Sequence, residues 1–358
     1  MSGIHLLFLL TKNNRGTVLI CLLVAGCCAP CCSISLPPEL RQASSLAIEK
    51  MIASDYNGAI LLCDSIIKAD REDPMGQMLR LSAIGLHDLD LDSATDSLNF
   101  FDGYKKVDAS IFNYEKKYGV SSYTCTVKGF AKAIAAAYNL WRKKYFAGLD
   151  MGFAALSSLQ EAKRLDNTNT DVDFFLGLYT YARADLKRNF WWAFFWYSGD
   201  KNAGIRSIRA CSRNAQFARQ AATLLLAEIY YRENKIPESD TITRSLLAAY
   251  PTSRLTLWTC AKRGEATQSF AEAAAFYQAL ADAYDGIGRA RKNALVTRSK
   301  AAHMYFSAGD TIQARVACEK ILVKKKGYCD GFCRQICDDA EKLLAKIRKT
   351  RDKRPQDD

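Results

Sequence analysis

Small and aromatic residues recur at a spacing of 34 residues in the C-terminal half of this chain. Ala227 and Ala261 are 34 residues apart, Tyr230 lies three residues after Ala227 in Leu226-Ala227-x-x-Tyr230, and Pro251 lies downstream. A repeat of this length is typical of stacked helix pairs, because one unit alone cannot bury its apolar stripe. We therefore expect an array of helix pairs that bury these stripes against one another.

The repeat pattern extends in both directions from this unit. The second helix of the Ala261 unit carries Phe270, Ala273 and Tyr277. A seven-residue insertion across 285–292 precedes a further unit, with Ala302-x-x-Tyr305, Gly309-Asp310, Ala314-x-x-x-Cys318 and Ile321-Leu322. Weaker units are Tyr56-x-x-Ala59-x-x-x-Cys63 and Ala155, Leu159 and Ala162 leading into Leu176-Gly177. Small residues at these positions let two helices approach closely, while large residues fill the space to the next pair.

These motifs resemble the tetratricopeptide (TPR) repeat, with Ala in place of Gly in its L-G-x-x-Y core. The resemblance covers most of residues 39–325 and implies an all-α fold, a right-handed superhelical solenoid of about five or six antiparallel helix pairs. Composition agrees, because the chain has only seven prolines, abundant alanine and few β-branched runs. We expect a C-terminal capping helix at 326–350 and a basic, polar tail at 351–358.

The N-terminus has the order of an export signal. Lys12 and Arg15 precede an apolar run of about ten residues from Thr17 to Gly26, which is too short to span a bilayer as a helix. Val24-Ala25-Gly26-Cys27 resembles a bacterial lipobox, which implies a signal peptide over 1–26, lipidation of Cys27 and a tether over 27–38. The alternatives are an ordinary signal peptide, with Cys27 and the cysteines after it incidental, or a retained anchor. Several acyl chains would anchor the protein stably.

An aromatic segment interrupts the repeats in the middle of the chain. Residues 190–197 contain seven aromatic residues in eight, and they lie between Phe175-Leu176-Gly177-Leu178-Tyr179 and Gly199-Asp200-x-x-x-Gly204-Ile205. This arrangement resembles an uncharacterised group of exported bacterial TPR proteins, although a proline in the connector is missing. Three tryptophans are hard to bury with every N–H group satisfied. The connector at 187–199 therefore either binds a partner or membrane interface, through Trp191, Trp192, Phe195, Trp196 and Tyr197 with Lys187 and Arg188, or fills the core.

Three cysteines form a stripe near the C-terminus. Cys329, Cys333 and Cys337 are four residues apart and would spread their thiols over about 12 Å of one helix, whereas a metal site needs convergent ligands. We expect them to pack against the preceding helix pair. A metal-binding or redox-active envelope protein that uses these cysteines is the alternative function.

No motif in the chain supports catalysis or a cofactor. The three histidines are isolated, and Asp88-x-Asp90-x-Asp92 lacks the glycine and glutamate of a calcium loop, so we interpret it as a turn and helix N-cap between repeat helices. The formal net charge of +12 favours anionic membranes or acidic proteins, and the basic stretch from Lys342 to Arg354 is either a solvated helix end or a further attraction to such surfaces. No nucleic-acid motif accompanies this charge.

We therefore expect a non-catalytic protein-interaction scaffold of the bacterial cell envelope, without a cofactor or small-molecule substrate. A lipid on Cys27 would hold it at the membrane facing the periplasm, with the outer membrane favoured. Its partner would be a protein or peptide held by the aromatic connector and by exposed polar residues of the first helices on the concave face.

Overall fold

The computed structural model describes residues 38–92, 97–189, 200–288, 290–323 and 331–352, and all regular structure in these ranges is α-helical. The predicted all-α class is confirmed. The helices α1 to α8 are Pro38–Ile52, Tyr56–Ala69, Met75–Leu91, Ser97–Tyr118, Ser122–Trp141, Tyr145–Leu165, Asp173–Asn189 and Lys201–Asn214. The helices α9 to α15 are Arg219–Arg232, Ile236–Ala249, Arg254–Ala266, Phe270–Asp285, Arg291–Ser307, Thr311–Val323 and Gly331–Asp352.

The chain divides into two compact units. The first comprises residues up to 90 together with 94–229, and the second comprises 91–93 together with 230–358. In the first unit α1 packs on α2, α5 on α6 and α7 on α8, and in the second unit α11 packs on α12, α12 on α13 and α13 on α14. Consecutive helices therefore form antiparallel hairpins within each unit, as the TPR resemblance predicts.

The turns inside the helix pairs share one conformation. Five of them are three residues long, and the middle residue of each has a positive φ between 57° and 82°: Ser54, Lys143, Asn234, Gln268 and Gly309. In four of these turns the last amide donates to a carbonyl five residues earlier, as Lys235 N does to Tyr230 O at 2.8 Å. This is a Schellman closure, which satisfies carbonyls at the helix end. Asn234 and Gln268 are 34 residues apart and Gln268 and Gly309 are 41 apart, so the turns reproduce both the repeat length and the seven-residue insertion.

Two buried aspartates, each just before the first helix of a helix pair, connect that pair to the next one. Asp73 Oδ1 accepts hydrogen bonds from Met75 N and from the Tyr123 hydroxyl, at 2.8 and 2.6 Å, and thereby links the start of α3 to the start of α5. Asp171 Oδ1 accepts from Phe217 N and Ala218 N at 3.1 and 2.9 Å and links the start of α7 to that of α9. Asp73 thereby caps α3 and binds α5, whereas Asp171 binds two amides just before α9.

The interpretation of Asp88-x-Asp90-x-Asp92 as a turn is wrong for its first two residues. Helix α3 continues to Leu91, and Asp88 and Asp90 are both buried in its last turns. Asp88 Oδ2 accepts from the Tyr138 hydroxyl at 2.8 Å, and Asp90 Oδ2 accepts from the Tyr56 hydroxyl at 3.0 Å. Acids are disfavoured near a helix C-terminus, and these hydroxyl donors offset that cost. Their separation of 34 and 50 residues from the acids hides the pairing from local sequence reasoning.

Polar contacts join α11, α12 and α13 in the second unit. Arg263 of α11 pairs with Asp240 and Glu272, on the helices before and after it. Glu265 accepts from the Tyr277 hydroxyl at 2.5 Å and lies 3.0 Å from Lys300 Nζ. The apolar stripe of α15 packs at the C-terminal end of the second unit. Its buried residues share one cluster with buried residues of α13 and α14.

Among the described helices, none is both long enough and apolar enough to cross a membrane.

Candidate interaction surface

Gly177 and Gly204, the two glycines of the central motif, meet in space. Asp200 caps α8 by accepting from Ala203 N at 3.0 Å, which places Gly204 one turn into this helix. A Cβ atom added to Gly204 would lie 2.6 Å from Tyr181 N and 2.8 Å from the Gly177 carbonyl oxygen of α7. The helices therefore touch backbone to backbone at this crossing, and only glycine allows that approach. The motif residues Gly177 and Gly204 fix the α7–α8 hairpin.

The aromatic connector is attached to this hairpin, but its predicted binding residues lie outside the described part of the chain. They are Trp191, Trp192, Phe195, Trp196 and Tyr197. Lys187 and Arg188 lie in the last turns of α7, and their side chains also lie outside the described part. Because α7 and α8 are antiparallel, residues 189 and 201 are at the same end of the hairpin. The partner-binding role of the connector stays a prediction.

In four of the first helices, α3, α5, α9 and α11, the surface positions are mostly half-buried. No residue of α3 or α5 is exposed, and α9 and α11 are exposed only at Arg219, Arg232 and Ala266 at their ends. Arg80 of α3 and Lys128 of α5 nevertheless keep 34% and 29% of their side-chain surface exposed. The binding of a partner by polar residues of the first helices stays a prediction.

Large apolar side chains are instead exposed on the second helices of the first unit. Phe146 and Phe153 of α6 are 80% and 57% exposed, and Leu61 of α2 and Phe112 of α4 are exposed to a similar degree. Phe146 and Phe153 are seven residues apart, so they lie two turns apart on one side of α6. The packed side of α6 carries Ala155, Leu159 and Ala162, as predicted, and these are buried. Helix α6 therefore has an inner apolar stripe that is covered and an outer aromatic stripe that is not.

Basic residues form the outer surface of α8. Arg206, Arg209 and Arg213 lie on one side of this helix, and Gly204, Ile205, Ile208 and Cys211 are buried on the other. From residue 201 to residue 227 the chain has five basic residues and no acidic one. The outer surface of this second helix is therefore cationic, whereas that of α6 is aromatic.

The cysteine stripe contributes to the core over its described part. Cys333 and Cys337 are buried in the cluster that joins α15 to α13 and α14, as the packing interpretation expects, and Cys329 lies outside the described residues. In the described ranges no group of three His, Cys, Asp or Glu side chains is placed to hold a metal ion. Burial also raises the pKa of other thiols, that of Cys63 to about 12 and that of Cys260 to about 11. Such thiols are poor nucleophiles and poor ligands at neutral pH.

Sequence reasoning missed a group formed by His87, Asp88 and Tyr138 at the C-terminal end of α3. His87 Nδ1 lies 3.4 Å from Asp88 Oδ1, and the Asp88 carboxylate also holds the Tyr138 hydroxyl. Burial, followed by the hydrogen bond to Asp88, raises the pKa of Tyr138, so the phenol stays protonated as a donor. Tyr138 also stacks on Phe100 at a ring separation of 3.7 Å. Since both Asp88 and Tyr138 are buried, the group connects α3, α4 and α5 structurally.

Comparison with known proteins gives similarity at the level of solved structures alone. No family model matches the chain, and no curated protein matches it. The C-terminal part of a TPR repeat-containing protein from Cytophaga hutchinsonii is similar over 83% of this chain and 98% of that chain, with 15% identity and a TM-score of 0.39. Human IFIT1, in a dimer with m7Gppp-AAAA, is similar over 94% of this chain and 80% of that chain, with 13% identity and a TM-score of 0.39.

The chain has a TPR-like helical-repeat fold. Its own geometry carries this assignment: three-residue turns of one conformation, a 34-residue spacing between two of them and glycine-mediated contact within a pair. A TPR-like fold places constraints on packing positions and leaves the outward positions free, so function must be argued from the latter.

Proposed function

We propose that this chain is a non-catalytic scaffold that binds a protein partner through the outer face of α6, in the first unit, and is held at the cell envelope by lipid on Cys27. The observation that carries the binding role is the exposure of Phe146 and Phe153 on one side of a helix whose other side is already packed. Neither phenylalanine contributes to the core of this helix pair.

The size of these side chains supports a protein partner. Burying one exposed phenylalanine contributes roughly 2 kcal/mol at about 25 cal/mol per Å² of apolar area, and aromatic residues dominate the energetics of protein interfaces. Two phenylalanines at a two-turn spacing match the apolar stripe of a partner helix packed alongside α6. The partner we propose therefore presents an amphipathic helix.

The envelope location rests on sequence features. The lipobox-like Val24-Ala25-Gly26-Cys27 supports lipid attachment, and the aromatic connector, with Trp191, Trp192 and Trp196, supports a second contact with the partner. In this proposal the connector extends the interface beyond the α6 surface. The mature N-terminus tests the anchor by mass spectrometry: a lipidated Cys27 supports it, and an intact Met1 overturns it without affecting the binding role.

Photo-crosslinking tests the binding surface. A photo-reactive phenylalanine analogue at position 146, introduced in cells of the source organism, should yield one discrete crosslinked protein, and the same analogue at the exposed Ile312 of α14 should not. The paired substitution Phe146→Ser and Phe153→Ser should abolish co-purification of that protein, while Ile312→Ser, the matched loss of an exposed apolar residue, should leave it intact. Equal capture by all three chains would refute the surface.

The connector is tested in the same assay. Replacing Trp191, Trp192 and Trp196 by Ser should weaken capture if they contact the partner. Unchanged capture with a reduced free energy of unfolding would instead favour the core-filling alternative.

A further inference from the structure

A line of six exposed positions runs along the outer face of α6. They recur at alternating steps of four and three residues, so they fall within an arc of about 80° and extend over about 27 Å. The positions are Phe146, Asp150, Phe153, Ser157, Gln160 and Arg164. Asp150 therefore lies between the two phenylalanines of the proposed binding surface, about one turn from each.

The exposed carboxylate of Asp150 makes no ion pair and no hydrogen bond within the described part of the chain. The residues three and four positions away on either side are Phe146, Ala147, Phe153 and Ala154, so α6 itself supplies no cation to it. Asp150 is the sixth residue of α6, beyond the first turn in which the helix dipole favours an acid. The stability of α6 therefore does not explain why this position is acidic.

The neighbouring helix α4 places a second acid on this side of the first unit. The Tyr104 hydroxyl of α4 lies 3.8 Å from Sδ of Met151, the residue after Asp150, so the two helices are in contact here. Asp108 follows Tyr104 by one turn and is exposed, and its charge adds to the effect of burial in raising the pKa of Tyr104. Two carboxylates thus accompany the aromatic residues of this surface.

Basic side chains lie at the ends of the line on α6 rather than at its centre. Lys143 and Lys144 are in the turn before α6, at least about 9 Å along the helix axis from the central carboxylate. Arg164, at the other end, pairs with Glu161 at 2.6 Å, and Lys105 of α4 lies 3.5 Å from an aspartate of its own helix. The centre of the line is therefore apolar and acidic, in a chain whose formal net charge is +12.

We propose that Asp150 determines the specificity of the α6 surface by selecting a partner helix that carries lysine or arginine between its apolar residues. The inference rests on the binding function proposed above and specifies the charge of the partner. A helix packed along α6 removes water from the centre of the line, and a carboxylate buried there without a cation is strongly unfavourable. A cation on the partner avoids this cost, whereas an acid at the same place is repelled.

The same carboxylates disfavour the polyanions that a basic chain otherwise attracts. Phosphate groups of anionic lipid or of nucleic acid would face Asp150 and Asp108 at this surface, and like charges repel. The described charges therefore favour a basic protein segment over either polyanion.

Two designed peptides test this charge preference on the full chain carrying Cys27→Ala, so that a lipid on this cysteine makes no contribution. Each peptide is a helix of about three heptads with leucine at the first position of every heptad and Ala or Gln elsewhere, except that the fourth position is Lys in one peptide and Glu in the other. By fluorescence anisotropy the Lys peptide should bind about tenfold more tightly, although the net charge of the chain by itself favours the Glu peptide. Asp150→Asn should weaken binding of the Lys peptide about tenfold, and Asp150→Lys should reverse the preference.

The matched control makes the same charge change elsewhere. Asp338 is exposed on α15 in the second unit, and Asp338→Lys should alter the affinity for the Lys peptide by less than about threefold. An equal effect of this control shows that net charge governs binding and overturns the proposal. It is also overturned if the wild type does not bind the Lys peptide or prefers the Glu peptide, if Asp150→Lys leaves the preference unchanged, or if phosphatidylglycerol vesicles or a single-stranded RNA oligonucleotide displace the Lys peptide from α6.

The phenylalanines separate this inference from the proposed function. The paired substitution Phe146→Ser and Phe153→Ser should abolish binding of the Lys peptide, and binding that survives it lies elsewhere on the chain and overturns the role of Asp150. If capture of the crosslinked protein in cells is lost in this paired variant but unchanged in Asp150→Lys, the binding function of α6 stands and only the charge selection fails.

Discussion

Gly204→Ala is the sharpest test of the α7–α8 crossing. The new Cβ would lie 2.6 Å from Tyr181 N and 2.9 Å from Tyr181 Cα, about 1 Å inside ordinary van der Waals contact. These are backbone atoms, so no side-chain rotation relieves the overlap and the two helices must separate. Such overpacking costs roughly 1–3 kcal/mol or more, against a gain of about 1 kcal/mol in helix propensity.

The matched control is Gly152→Ala. Gly152 is also inside a helix, α6, but the nearest atom to its added Cβ is Ala136 Cβ at 3.9 Å. This variant should therefore show the propensity gain alone and raise the free energy of unfolding by about 1 kcal/mol. We expect Gly204→Ala to be less stable than wild type and Gly152→Ala to be more stable.

Urea unfolding followed by circular dichroism gives the two free energies, and hydrogen exchange locates the change. In Gly204→Ala, faster exchange should be confined to peptides from α7 and α8, because the separation is local. A Gly204→Ala protein as stable as Gly152→Ala, with unchanged exchange in α7 and α8, would refute the backbone contact.

Three further predictions concern acid, turn and thiol positions. Burial raises the pKa of Asp171 to about 6 from an ordinary 3.8, and its Oδ2 is buried without a hydrogen-bond partner in the described structure. The folded state therefore holds the carboxyl proton more tightly than the unfolded state does. The free energy of unfolding thus falls as pH rises from about 4 to about 6. The unfolding free energy of wild type minus that of Asp171→Asn should fall by about 2 kcal/mol between pH 4 and pH 7 in urea titrations, and a constant difference would contradict the burial effect. Lys143→Gly and Gln268→Gly should each raise the free energy of unfolding by about 1 kcal/mol, since both residues have a positive φ that favours glycine; a loss of stability would argue against that turn conformation. The buried thiols of Cys63 and Cys260 should react with Ellman's reagent only in denaturant, and rapid reaction in the native protein would disprove their burial.

The sequence predicts packing positions well because small and large residues alternate there for steric reasons. Ala59 and Cys63 of α2, Ala155 and Leu159 of α6 and Ala273 of α12 are all buried as the repeat pattern requires. Gly309 also lies in a turn, as the pattern indicates. Lys143 and Gln268 adopt the same left-handed conformation without any residue preference that would reveal it, because the surrounding helix pair imposes it.

Long-range polar pairing was not predictable in the same way. Asp88 and Asp90 have the local composition of a turn, and only the distant hydroxyls of Tyr138 and Tyr56 make their burial in a helix favourable. The outer stripe of α6 presents a related difficulty. Its sequence is apolar on two sides, and helical periodicity alone does not tell which side a neighbouring helix covers.

Functional residues of this fold are easiest to recognise at positions that packing does not constrain. First helices such as α3 and α5 have only buried and half-buried positions, so most of their residues are constrained by packing. Second helices pack on one side only, which leaves their outer positions free of that constraint. In the first unit those positions carry phenylalanine on α6 and arginine on α8, two surfaces of different chemistry on adjacent helix pairs. A shared packing requirement would give both helices similar outer residues, so packing alone does not explain the contrast.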